Sequence, residues 1–222
     1  MMFNDRREAG QRLGEVLLAY RDEQPLVLGL PRGGVVVAYE VARMLKAPLD
    51  VIVARKIGAP GQPELGIGAI APGDTLVVDP YIVRVLGLSE EDIRQLAERE
   101  QRELERRIRL YRGDKPMPDV TGRTVIVVDD GLATGVTARA AMRSLRKQHP
   151  RKIILAVPVC APDTAEALKK EADEVICLFA PPDFRAVGLW YRDFSQTSDE
   201  EVIELLQKAR AWMDGEGSPS AT

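Results

Sequence analysis

Residues Val125 to Thr137, reading VIVVDDGLATGVT, constrain this chain more than any other stretch. Four β-branched residues in succession, Val125 to Val128, predict a strand buried on both faces, as in a parallel sheet covered by helices. That strand ends on two carboxylates, Asp129 and Asp130, at the carboxyl edge where open α/β sheets bind their ligands. Gly131, Leu132, Ala133, Thr134 and Gly135 then form a loop running into a helix that starts near Val136. Such a loop presents backbone N–H groups to an anion, and the helix N-terminus adds about 0.3–1 kcal/mol of favourable electrostatics. The Thr134 and Thr137 hydroxyls are further donors, and Gly135 lets the backbone approach closely. Two carboxylates beside an anion cradle repel the ligand unless it carries hydroxyls next to its phosphate. A ribose diol held by Asp129 and Asp130, with its 5-phosphate in the loop, removes the conflict.

Helix and strand patterns alternate along the rest of the chain, which predicts an α/β fold with a mainly parallel sheet flanked by helices, a Rossmann-like core. A first helix is expected over Asn4–Tyr20, with Ala9, Leu13, Val16, Leu17 and Tyr20 on one face. Strands are expected at Leu26–Leu30, Leu49–Ala54, Thr124–Val128, Lys152–Val159 and Glu174–Phe179, the third of them central. Helices are expected at Val35–Leu45, Val136–Lys147, Thr164–Glu171 and Asp199–Trp212. Between Gly58 and Gly73 the chain is rich in glycine and proline, with a short strand expected at Ile67–Ala71 and another at Thr75–Val78. Ser89-Glu90-Glu91-Asp92 reads as a capping box opening a heavily charged helix to about Tyr111, with Ile93, Leu96, Ala97, Leu104 and Ile108 as its apolar stripe. The organisation expected is one domain over residues 1–214, with a helical insertion at about 80–113, a small C-terminal hood at about 181–196 and a disordered tail at 215–222.

Composition narrows the function classes. A net charge of −3 argues against a protein that coats nucleic acid or an anionic membrane, and no run approaches the roughly 18 apolar residues of a membrane span. A charged N-terminus without a signal-like apolar stretch makes the expected location cytoplasmic. Cys160 and Cys177, the only cysteines, lie in or beside apolar runs and read as buried thiols; His149, the only histidine, reads as a helix-end residue. Together these exclude a zinc site. Gly66–Gly73 lacks the spacing of a dinucleotide fingerprint, and no Walker A lysine pattern occurs. Asp129 and Asp130 are too close in sequence to flank a glycosidic bond from opposite sides.

The acidic segment resembles the phosphoribosyl-pyrophosphate motif of type I phosphoribosyltransferases: four hydrophobic residues, two acids, and a loop ending in Thr-Gly-x-Thr. Gly131 departs from the pattern, since the family usually has an aliphatic residue there. Two further segments match in order. Leu30-Pro31-Arg32-Gly33-Gly34 resembles the pyrophosphate loop, and Arg55-Lys56 stands where relatives carry a basic pair ahead of a mobile flap, here Ile57–Gly73. The resemblance covers roughly Leu26 to Phe179 and implies a Mg²⁺-dependent transfer of phosphoribose from phosphoribosyl pyrophosphate to a nitrogenous acceptor. It implies that Arg32 and Lys56 stabilise the leaving pyrophosphate, with Arg55, Gly33 and Gly34 beside it. Asp129 and Asp130 would hold the ribose hydroxyls and contact Mg²⁺ mostly through the ligand, and residues 131–137 would bind the 5-phosphate. It also implies a homodimer. Ala133 stands where 6-oxopurine enzymes carry an aspartate, which disfavours that acceptor class. A hood containing Phe184, Val187, Trp190, Tyr191, Asp193 and Phe194 is either an acceptor-stacking surface or a packed loop over the sheet edge. The alternative to an enzyme is a catalytically silent sensor of phosphoribosyl pyrophosphate or nucleotide, but the retained Arg32, Arg55 and Lys56 favour turnover.

Overall fold

The computed structural model describes Met1–Gly215; the expected disordered tail lies, from residue 216 on, outside the described residues. In chain order the elements are α1 (Arg6–Leu17), β1 (Leu26–Gly29), α2 (Gly33–Leu45), β2 (Leu49–Val51), β3 (Arg55–Ala59), β4 (Gln62–Ala71), β5 (Thr75–Val78), α3 (Pro80–Leu86) and α4 (Glu90–Arg112). They continue as β6 (Thr124–Val128), α5 (Val136–Arg146), β7 (Lys152–Val159), α6 (Pro162–Leu168), β8 (Glu174–Phe179) and α7 (Asp199–Gly215). The chain forms two compact units. One comprises Met1–Ile52, Pro118–Thr134 and the chain from His149 on; the other comprises Val53–Met117 and Gly135–Gln148.

The first unit is built on a five-stranded sheet of order β2-β1-β6-β7-β8, parallel throughout. β6 is central and every residue of it is buried, as the β-branched run requires. β2 is shorter than expected, ending at Val51 because its sheet partner β1 runs out at Gly29. Helix α1 is also shorter. The chain tightens into a 3-10 turn at Leu18–Glu23, and Val16, expected on the buried face, is 48% exposed. Ala9, Leu13 and Leu17 are buried as expected. Close packing of α1 on α2 depends on two residues without side chains: a Cβ on Gly10 would lie 2.8 Å from the Val37 carbonyl oxygen, and one on Gly14 would lie 2.6 Å from Met44 Sδ. Cys160 and Cys177 are free thiols with sulfurs 3.0 Å apart, Cys160 buried and Cys177 half-buried.

The second unit holds an antiparallel sheet of order β3-β4-β5. The short strand expected at Ile67–Ala71 is present and longer, and a second strand precedes it. Arg55–Ala59 and Gln62–Ala71 pair as a hairpin, turning through Gly61 at φ 75°. Glycines inside the strands hide the period-two signal, yet Gly68 is needed because a Cβ there would come within 2.1 Å of the Val77 carbonyl oxygen. Ala140 of α5 packs with Ala69, Ala71 and Val77 of this sheet. The Ser144 hydroxyl donates to the Pro72 carbonyl at 2.6 Å, and Lys147 Nζ to that of Gly73 at 2.8 Å. The expected capping box is present: Asp92 N–H donates to Ser89 Oγ at 3.1 Å, and Ser89 N–H to Asp92 Oδ2 at 2.9 Å. Asp79 caps the additional helix α3, with Pro80 in its first turn.

Candidate phosphoribosyl site

β6 delivers Asp129 and Asp130 to the carboxyl edge of the parallel sheet, and the loop after β1 arrives beside them. Leu30 N–H donates to the Val128 carbonyl at 2.9 Å, which aligns the two strand ends. Arg32 occupies the N-cap position of α2, following a cis Pro31–Arg32 peptide, and is half-buried. Gly33 and Gly34 press against the acidic pair. A Cβ on Gly34 would lie 2.9 Å from Asp129 Oδ1, and one on Gly33 only 2.3 Å from Asp130 Oδ2. Arg32, Gly33, Gly34, Asp129 and Asp130, far apart in sequence, are thus brought to one edge of one unit.

The loop that follows is braced from outside and open within. Leu132 N–H donates to the Val159 carbonyl at 3.0 Å, and the Leu132 carbonyl accepts from Ala161 N–H at 3.0 Å. The Thr164 hydroxyl donates to the carbonyl of Ala133. Among the described residues no protein group takes the N–H of Gly131, Ala133 or Thr134. Leu132 is therefore a buried anchor, whereas Ala133 and Thr134 are exposed and carry free donors. Gly135 sits at φ 73°, a left-handed conformation that glycine adopts without strain, and opens α5. Val136 and Thr137 form the first turn of that helix.

The carboxylates sit in an unfavourable place for two negative charges. Burial, then the neighbouring Asp130 charge, pushes the Asp129 carboxyl well above its ordinary range. Asp130 is also pushed up by burial, against the opposing pull of Arg6. Arg6 Nε lies 2.9 Å from Asp130 Oδ2, with the two side chains 12% and 15% exposed. The Tyr191 hydroxyl donates to the Asp130 carbonyl oxygen at 2.6 Å, and burial raises the phenol's own pKa. Arg6 has no counterpart in the motifs read from sequence. It lies 124 residues from its partner, and no local pattern could have singled it out.

The structure also explains the glycine that departs from the family pattern. A Cβ on Gly131 would lie 2.5 Å from Val187 Cγ1 and 3.1 Å from Val159 Cγ1, so the C-terminal segment, seated directly on the loop, demands glycine there. In that segment Phe184, Val187 and Trp190 pack on a cluster formed by Phe3, Ala9, Val159 and Tyr191. Trp190 meets Phe179 edge-on at 5.4 Å, and Asp193 accepts from the Ser195 N–H at 3.0 Å. Most of the hood aromatics are thus occupied in packing, while Phe194 is 37% exposed.

A model of the phosphoribosyl transferase domain matches residues 6–187 of this sequence. The chain belongs to that family. It is 44% identical over 208 residues to two proteins of Mycobacterium tuberculosis provisionally named phosphoribosyl transferases. The match covers 94% of this chain but only 47% of each relative, so the chain spans about half their length. It is 30% identical to a uracil phosphoribosyltransferase of Lactobacillus gasseri, over 72% of this chain and 75% of that one. Among solved structures, the protein TT1426 from Thermus thermophilus is 45% identical with a TM-score of 0.79, covering 94% of this chain and 99% of that protein.

The basic pair expected to serve the same chemistry lies in the second unit. Arg55 and Lys56 do not end β2, as the sequence suggested; they open β3, because the parallel sheet releases the chain after Val51. Arg55 Nη2 is 2.9 Å from Glu100 Oε2 on α4, and Lys56 Nζ donates to the Glu64 carbonyl at 3.1 Å. Among the described residues there is no cluster of three or more metal-ligating side chains, and no helix is long and apolar enough to cross a membrane.

Proposed function

We propose that the protein transfers 5-phosphoribose from phosphoribosyl pyrophosphate to a nitrogen of a small acceptor, releasing pyrophosphate. The observation that carries this reading is the pairing at one sheet edge of two half-buried carboxylates with a loop whose Gly131, Ala133 and Thr134 N–H groups are free among the described residues. Carboxylates accept from hydroxyls and free N–H groups donate to phosphate, so ribose 5-phosphate satisfies both halves at once.

In the reaction, a nitrogen lone pair forms a bond to ribose C1 as the bond from C1 to the pyrophosphate oxygen breaks. The acceptor nitrogen loses its proton, and pyrophosphate leaves with the electron pair. Asp129 and Asp130 hold the ribose hydroxyls and favour the positive charge that develops on the ring, while Arg32 and Lys56 favour the negative charge on the leaving group. Arg55, Gly33 and Gly34 lie along the pyrophosphate, and Thr134 to Thr137 close the phosphate cradle. Asp129 and Asp130 are the residues that would hold a Mg²⁺ ion, mostly through the bound ligand, since hard oxygen donors suit that cation. The chemistry it would supply is neutralisation of charge on the leaving pyrophosphate.

Ala133 leaves no carboxylate at the loop position used with 6-oxopurines. The relative named a uracil phosphoribosyltransferase makes uracil the first acceptor to try. A homodimer is the proposed assembly, to be read by analytical ultracentrifugation over a concentration series. The direct test is calorimetric titration with phosphoribosyl pyrophosphate and Mg²⁺, then pyrophosphate release across a panel of bases and small amines. Binding with release stimulated by one acceptor supports the transferase. Binding without stimulated release by any acceptor overturns the transfer step, and no binding overturns the whole reading.

A further inference from the structure

We propose that the face formed by α3, α4 and β5 is the surface through which two copies of this chain pair, α4 lying antiparallel to its counterpart across a two-fold axis. The inference rests on the proposed homodimer and names its interface.

The face lies wholly within the second unit. Helix α3 reads Pro-Tyr-Ile-Val-Arg-Val-Leu; its only charged residue is Arg84, and none of its residues is buried. Tyr81 is 70% exposed and Val85 65%, with Leu76 and Leu86 exposed as well. Beside α3 runs a groove of about 960 Å³ lined by Leu76, Val78, Val83, Leu88, Ile93 and Ala97. The 23 residues of α4 include only three that are buried, Leu104, Tyr111 and Arg112, and Ile93, Leu96 and Ala97 of its apolar stripe stay half-buried. Single apolar side chains on a surface are ordinary, whereas a continuous apolar groove beside an apolar helix marks a contact surface.

Charge selects the occupant. From Glu90 to Glu100 α4 carries five acids and two arginines; from Gln101 to Arg112 it carries five arginines and two acids. The terminal charges suit the helix dipole. The same order makes two copies of α4 complementary when laid antiparallel, each acidic half against the other's basic half, as an isologous contact requires. Along the groove wall stand Glu90, Glu98 and Glu105, and the wall's Arg94 is already paired with Glu91 and Glu98. Arg84 has no ion-pair partner among the described residues. A second copy presenting its apolar α3 with that arginine therefore matches the wall. A membrane surface calls for a basic polar face and a nucleic acid for a basic stripe, and this mixed face offers neither.

The size is sufficient. A 23-residue helix is roughly 35 Å long, and a strip of that length and about 20 Å wide, two helix diameters, covers roughly 700 Å². A standard interface takes about 800 Å² from each partner.

The experiment is sedimentation velocity of the full chain over a concentration series. It compares wild type, Tyr81→Asp with Val85→Asp, Glu90→Lys with Glu98→Lys, Arg102→Glu with Arg109→Glu, and an equal mixture of the last two. Wild type is expected to dimerise. The α3 variant should raise the dimer dissociation constant at least about hundredfold, since it places charges in the apolar centre of the contact. Each α4 variant should weaken self-association about tenfold or more, and the mixture should restore it, because a heterodimer again matches opposite halves. A misfolded chain would not be rescued in this way. Val16→Asp, at an exposed apolar position in the first unit, should leave dimerisation unchanged. A dimer that survives the α3 variant or dissociates in Val16→Asp, or α4 variants that the mixture does not rescue, would overturn the proposal while the homodimer itself stands. A wild-type chain monomeric throughout overturns both, and uptake of an apolar dye by that monomer would give the groove to a small ligand instead. Phosphoribosyl pyrophosphate binding, measured separately by calorimetry, tests the transferase reading without touching this one.

Discussion

The acidic edge of the first unit and the basic pair of the second are built on opposite plans. Asp129 and Asp130 are crowded by elements distant in sequence: Gly33 and Gly34 from the first turn of α2, Arg6 from α1, Tyr191 from the C-terminal segment. Arg55 and Lys56 are engaged within their own unit, by Glu100 on α4 and by the carbonyl of Glu64 on the adjoining strand. Charge at the acidic edge is costly and unfavourably placed, and a polyhydroxyl ligand relieves it. At the basic pair Arg55 is matched by a carboxylate, while Lys56 donates to a neutral carbonyl and keeps donors to spare. Binding energy in a phosphoribosyl ligand is therefore expected to come chiefly from the acidic edge.

The largest effect that would break this comparison comes from Asp129→Asn together with Asp130→Asn. Affinity for phosphoribosyl pyrophosphate by calorimetry should fall more than about a hundredfold, as when two charged hydrogen-bond sites are lost, with the circular dichroism spectrum unchanged. Wild-type affinity in that protein would mean that the ligand is gripped elsewhere.

Next in size is Gly131→Ile, which restores the aliphatic residue usual in the family. Its Cβ would enter the space of Val187, so urea unfolding should show a loss of about 1–3 kcal/mol. Adding Val187→Gly should recover part of that loss, and no recovery would place the strain outside the hood contact.

Asp129→Asn alone should trade function for stability. Burial and Asp130 raise the folded-state pKa of Asp129 above its unfolded value, so the charged form costs stability at neutral pH. That cost disappears as pH falls from the raised folded value to the ordinary carboxylate range. The variant should be more stable than wild type at neutral pH, on the order of 0.5–2 kcal/mol, and the gain should vanish once the wild-type carboxyl is protonated. The same shift makes ribose binding by the wild-type chain fail on acidification at a pH above the ordinary carboxylate range. A binding profile flat down to the ordinary aspartate pKa would contradict the burial argument.

The smallest effect belongs to Glu100→Gln, which frees Arg55. A partly exposed ion pair contributes about 0–1 kcal/mol, so the melting temperature should change little. The KM for phosphoribosyl pyrophosphate should fall by no more than about fivefold, the factor corresponding to such a pair. A larger fall would show that Glu100 restrains Arg55 strongly.

Much of the site was legible because its elements follow one another in the chain. The β-branched run, the two acids and the loop need no long-range information, and Ser89 with Asp92 announces its helix by a contact three residues long. The β3–β4 hairpin was not legible, since Gly58 and Gly68 serve close backbone approach, Gly66 makes room for the Lys56 side chain, and the three leave no alternating side chains to read. Gly131 stood out in the sequence only as a departure from the family pattern, and its reason lies in Val187, which packs against it from 56 residues away.

Sequence alone determined the parallel sheet, the identity of the acids and the donors that follow them, because strand burial and helix entry are set by residues within one or two turns of each other. Tertiary structure decided that Arg6 pairs with Asp130, why residue 131 has no side chain, and that Arg55 and Lys56 lie in a different sheet from β2. Those outcomes depend on which distant backbones approach within van der Waals distance, and a linear pattern carries no record of that.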